Sequence, residues 1–170
     1  IAGEEPELCV RFRQRGWIIQ RIDADMSVHN AEMYRFSQWW KRAVRGGWAY
    51  AAGAHRHGRS GMRHNVKEMR SNWFWGIILP LVAIVPAWWT SGLSLLLLLG
   101  YPVLFVRVMT RSRRGGMPSK SALMYAAFCT IGKLPQAIGL IKYWMGRLLR
   151  RQASLIEYKD HSVKRSSEQA

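Results

Sequence analysis

Glu4, Glu5 and Glu7 crowd into the opening stretch of a chain whose formal net charge is +16. A carboxylate at a loop-to-helix junction is well placed to act as a general base, taking the proton of a hydroxyl as that hydroxyl becomes a nucleophile. Gly3, in front of the acids, supplies a backbone position that can turn sharply and lie close to a ligand. Pro6 suits the first turn of a helix, and acids suit its positive end. Leu8, Cys9 and Phe12 recur at helical spacing, with Gly16 as the stop. The same residues also describe a helix capped by acids and nothing more, so capping and catalysis both stand at this point.

The elements that must position these groups follow from the patterning. Residues 17–22, Trp-Ile-Ile-Gln-Arg-Ile, are β-branched and aromatic and predict a short strand. Asp23-Ala24-Asp25 ends it, and the pair of acids suits turn capping. A helix is predicted over 33–45, stopped by Gly46-Gly47, with a further short helix over 48–53. Within the first of these, Gln38, Arg42 and Arg45 share one face, being four and three residues apart. His55, His57 and His64 match no standard zinc-ligand spacing and have only Glu68 nearby, so solvated or lipid-facing basic residues are expected there.

The second half is built differently. From residue 73 to residue 106 there is no Asp, Glu, Lys, Arg or His, although the chain has 26 Lys and Arg in all. That distribution is a membrane signature. Two spans are predicted, about 73–89 and 93–108, joined by the polar turn Thr90-Ser91-Gly92 into a hairpin occupying 61–112. Trp73, Trp75, Trp88 and Trp89 lie at its ends, where amphipathic rings prefer the interface. Arg56, Arg59, Arg63, Lys67 and Arg70 precede the hairpin; Arg107, Arg111, Arg113, Arg114 and Lys120 follow it. By the positive-inside rule both flanks are then cytoplasmic. Residues 119–151 read as an interfacial amphipathic helix kinked at Pro135, because a third span would carry Arg147, Arg150 and Arg151 to the far side. The tail, 152–170, is polar and predicted to lack a packed structure. Cys9 and Cys129 are far apart in apolar helical contexts, which reads as two thiols. The surplus of cations is accounted for by lipid headgroups, and no zinc finger, basic zipper or RNA-binding signature argues for nucleic acid.

In order, the chain reads Gly-Glu-Glu-x-Glu-Leu-x-x-Arg-x-x-x-x-Gly, a strand, an acidic turn, His29, Gln38-Trp39-Trp40-Lys41-Arg42-x-x-Arg45, and a membrane hairpin. This resembles the C-terminal half of family 2 glycosyltransferases of the GT-A fold, the membrane-anchored bacterial kind that build surface polysaccharides or glycolipids. The resemblance covers nearly the whole chain. It implies a mainly α fragment: residues 1–60 as the C-terminal part of an α/β GT-A domain, then the hairpin and the in-plane helix. It implies an inverting transferase at the bacterial inner membrane, its catalytic part cytoplasmic. The substrates would be a nucleotide-sugar donor and a lipid-linked or polysaccharide acceptor. Glu5 falls at the position of the family's catalytic base, which is usually Asp, and Glu4 is the alternative. His29 falls where the fold often places a ligand to Mg²⁺ or Mn²⁺, while a hydrogen-bonded structural histidine explains it equally.

Gln38 to Arg42 is similar to the family's Gln-x-x-Arg-Trp motif, with Lys41 in the Arg place and Arg42 in the Trp place. Gln38, Arg42 and Arg45 suit a diphosphate, since guanidinium groups offer forked donors to phosphate oxygens, and Trp39 suits stacking on a sugar ring. An amphipathic helix at headgroup level accounts for the same residues without excluding that role. The family's Asp-x-Asp motif and nucleotide pocket belong to a preceding half, so this portion is expected to be inactive alone. The contrasting expectation is a basic, membrane-anchored interaction protein with no chemistry, holding anionic lipid or a partner.

Overall fold

A computed structural model of the chain describes residues 3–20, 22 and 33–149. It is mainly helical, and among the described residues there is no strand. The helices are α1 (Glu4–Gln14), α2 (Phe36–His57), α3 (Val66–Trp73), α4 (Leu79–Ile84), α5 (Gly100–Arg114), α6 (Ser119–Ile131) and α7 (Lys133–Leu148). A π-helical turn, Phe74–Ile78, joins α3 to α4, and 3₁₀ segments Val85–Ala87 and Leu93–Leu99 flank the hairpin turn.

α1 ends as its sequence requires. Gly16 is left-handed at φ 80°, Trp17 N–H donates to the Phe12 carbonyl at 3.0 Å, and Gly16 N–H donates to Arg13 at 3.1 Å. This is a Schellman closure, with the Phe12 and Trp17 rings in edge contact across it. The strand expected over 17–22 does not form in the described residues 17–20 and 22. Its β-branched residues suit a sheet, but no described segment runs beside them to pair with, and a lone strand has no ladder.

The break expected at Gly46-Gly47 is also absent. α2 runs unbroken through both glycines and absorbs the separate helix expected over 48–53. The reason lies in tertiary packing. A Cβ on Gly47 would sit 1.9 Å from the Gln136 carbonyl oxygen, and one on Gly139 would sit 2.0 Å from that of Val44. Glycine here allows α2 and α7 to touch backbone to backbone, the small-residue packing characteristic of membrane helices. Ala51, Ala137 and Leu140 are buried with them.

Three helical runs, Val66–Ala87, Leu93–Arg114 and Ser119–Leu148, are long and apolar enough to cross a membrane. The first two form the hairpin, the first starting before the predicted span and stopping at Ala87, the second running on to Arg114, with the turn at Thr90–Gly92 and Gly92 left-handed. Two prolines are accommodated by cross-hairpin bonds. Pro80 has no N–H for the carbonyls behind it, the helix widens to a π turn just before it, and the Tyr101 hydroxyl donates to the Trp75 carbonyl. Near Pro86, the Ser94 hydroxyl donates to the Ala83 carbonyl at 2.7 Å. Leu81, Ile84, Leu93, Val103 and Val106 face outward, as lipid contact requires. Trp88 and Trp89, 91% and 81% exposed, flank the turn.

The run 119–148 breaks at Gly132 rather than at Pro135. Pro135 then falls in the first turn of α7, where its missing N–H has no intrahelical duty. α7 meets α3 and the π turn near its start and shares its length chiefly with α2.

Candidate functional site

The cationic face of α2 lines a cleft that reaches Gly3, the residue just before the opening acids. It has a volume of about 710 Å³ and is lined by Gly3, Met33, Gln38, Lys41, Arg42 and Arg45, with Gly46 and Ala49 at its base. The start of α1 lies on α2 because Gly3 has no side chain. Its φ is +84°, and a Cβ there would stand 3.1 Å from that of Ala49. A smaller adjoining pocket of about 50 Å³ is walled by Gly3, Glu4, Glu7 and Arg56 among others. Glu4 therefore borders the small pocket next to the cleft, and Glu5 is exposed in the same helical turn.

Glu7 holds this arrangement together. Its Oε1 accepts from Arg11 Nε at 2.8 Å and from His57 Nε2 at 2.9 Å, with Arg56 Nη1 at 4.0 Å. The other ring nitrogen of His57 lies 3.4 Å from the Gln14 side-chain amide. The His57 hydrogen bond holds the Glu7 carboxyl below its usual range; burial opposes the shift and Arg11 adds to it. A second tie joins α2 to α7, where His55 Nδ1 and the Tyr143 hydroxyl are 2.6 Å apart. Burial lowers the His55 pKa, and Arg147, Arg59 and Arg56 push the same way.

The predicted binding residues separate into two sets. Gln38, Arg42 and Arg45 line the cleft together, joined by Lys41. The Gln38 Oε1 is occupied, accepting the Tyr34 and Arg35 backbone N–H groups at 3.1 Å each and closing the start of α2. Its amide N–H₂ is the group left for a ligand. Trp39 points the other way: its ring packs on Phe36 and, edge-on, on Phe128 of α6, at centroid distances of 5.1 and 5.0 Å. His29, Asp23 and Asp25 lie outside the described residues. Among the described residues, no group of three His, Cys, Asp or Glu side chains could hold a metal ion.

Two features escaped the linear reading. The role of Glu7 as a tertiary anchor has only its helical spacing to Arg11 as a signal, since His57 is 50 residues away. The part-buried trio Lys133, Ser71 and Asn72 has none. Comparison with protein-family models, curated proteins and solved structures gives no match.

Proposed function

We propose that this chain is the C-terminal part of a membrane-anchored inverting glycosyltransferase, with the cleft along α2 at Gly3 as the part of its active site contributed here. The observation that carries the proposal is the cleft itself. Lys41, Arg42 and Arg45 converge on a cavity large enough for a diphosphate and a sugar ring, beside a helix start bearing Glu4 and Glu5. In the reaction, Glu5 takes the acceptor hydroxyl proton, with Glu4 as the alternative base. The acceptor oxygen then forms a bond to the anomeric carbon from the face opposite the leaving group. The bond from that carbon to the nucleoside diphosphate breaks, and the diphosphate departs with the electron pair. Arg42, Arg45 and Lys41 neutralise its developing charge. A divalent cation, Mg²⁺ or Mn²⁺ with His29 among its ligands, would share that task. The cations flanking the hairpin favour a cleft on the cytoplasmic side of the bacterial inner membrane.

The test is made in the full-length enzyme. Glu5→Gln keeps size and hydrogen bonding but removes the base, so turnover should fall about 10²-fold or more while donor binding persists. Arg42→Ala should lower turnover together with nucleotide affinity. If Glu4→Gln alone abolishes turnover, the base is Glu4; if neither acid matters, the proposal fails. A second reading, a non-enzymatic basic membrane protein holding anionic lipid or a partner, is favoured by the +16 charge. It predicts vesicle binding that collapses with salt and is indifferent to Glu5→Gln.

A further inference from the structure

Of the three runs long enough to span a membrane, Leu93–Arg114 is the one whose most apolar stretch buries no residue within the fold. Its outer face is not smooth. An open groove of about 390 Å³ runs along α5, walled by Pro102, Val103 and Val106 and ending at Arg107. Val103 and Val106 are 65% and 55% exposed. Spacings of three and four residues set Val103, Val106 and Arg107 side by side on the helix.

The cations at the far end of the groove have no acid to meet. Arg107 is the first charged residue after the apolar block, and Arg111 follows it by about 6 Å along the helix axis. Both are exposed. No Asp or Glu occurs in residues 69–156, and no ion pair among the described residues involves either arginine. The Thr110 hydroxyl between them donates back to the Val106 and Arg107 carbonyls, at 2.9 and 3.1 Å. The two guanidinium groups are therefore the donors at this level. Standing where the hydrocarbon ends, they call for an anion held at that depth.

A second copy of this chain fits the face poorly. A two-fold axis along the membrane normal would set Arg107 against Arg107 and Arg111 against Arg111, like charges at the edge of a low-dielectric layer. A phospholipid meets both halves of the feature. Its acyl chain fills the apolar groove, and its phosphate oxygens accept from the forked guanidinium donors. We infer that the α5 groove, Arg107 and Arg111 form a binding site for one anionic phospholipid of the surrounding bilayer. The site holds whether or not the cleft transfers sugar. As one lipid in one groove, it also differs from the diffuse attraction that the +16 charge alone would produce.

The full chain, purified in an uncharged maltoside detergent, is titrated with phosphatidylglycerol and with a diacylglycerol of the same acyl chains. Bound species are counted by native mass spectrometry. One phosphatidylglycerol should bind about tenfold more tightly than further copies, and about tenfold more tightly than diacylglycerol. Arg107→Gln should weaken that first event about tenfold, the loss of a charge-assisted hydrogen bond. Val106→Trp, which fills the groove and keeps every charge, should weaken it several-fold. Lys67→Gln, which removes an exposed cation on α3 instead, should leave it within about twofold. All three side chains are exposed, so none of these changes opens a hole in the packing. Equal losses in Arg107→Gln and Lys67→Gln would reduce the effect to net charge and overturn the inference. Wild-type binding in Val106→Trp would overturn it as well, and a dimer lost in that variant would put a second copy on this face instead.

Discussion

Removing the Glu7–His57 contact should release α1 from α2. Glu7 and His57 side chains are 14% and 13% exposed, so their 2.9 Å bond is largely shielded from water and far less screened than a surface pair. The Arg11 contact is of a different kind. It stays within α1 as an i,i+4 pair with Arg11 58% exposed, and it contributes a few tenths of a kcal/mol without joining the two helices. A shielded hydrogen bond to a charged group is worth about 1.5–2 kcal/mol. Glu7→Gln keeps a weaker neutral bond, so it should lose about 1 kcal/mol, and His57→Ala the full amount. Each 1.4 kcal/mol is a factor of ten in the opening equilibrium. Hydrogen exchange of the α1 amides should therefore accelerate about five-fold in Glu7→Gln and ten-fold or more in His57→Ala, with α5 and α6 unchanged.

The sign with pH follows from the depressed Glu7 pKa. The contact contributes fully above the unfolded value near 4.5 and is lost as pH falls through the lower folded value. Arg11 and Arg56 then face an uncharged carboxyl and the ion pairing is gone, so α1 detaches on acidification. Unchanged α1 exchange in His57→Ala would refute this account of the anchor.

Gly139→Ala should destabilise the protein by about 2–3 kcal/mol in a detergent melt, because the clash with the Val44 carbonyl outweighs the gain in helix propensity. Gly146→Ala on the same helix meets nothing within 4 Å and should stabilise it by up to about 1 kcal/mol. For topology, α7 lies along α2, whose Lys41 and Arg42 are exposed, and immersing those cations in hydrocarbon would cost several kcal/mol. Reporters fused after Arg114 and at residue 159 should accordingly report the same side of the membrane; opposite sides would mean that 119–148 crosses it.

Whatever depends on local composition and on neighbours along the chain could be read from the residues alone. The uncharged block, the turn at Thr90–Gly92 and the start and stop of α1 all follow from such signals, and the structure carries each of them. The shared face of Gln38, Arg42 and Arg45 likewise follows from helical spacing. Features that require knowing which segments touch emerge only in the folded chain. Gly46-Gly47 has the composition of a helix stop, yet α7 packs against that point, and the close backbone approach outweighs the weak helix propensity of glycine. Residues 17–22 have the composition of a strand, but a strand exists only if another pairs with it. Trp39 sits beside Gln38 in sequence, yet their side chains meet different neighbours, one Phe128 and the other the cleft. Glu7 with His57, and Lys133 with Asn72, are joined across 50 and 61 residues. Burial makes those polar contacts strong, and burial arises only when distant segments pack together.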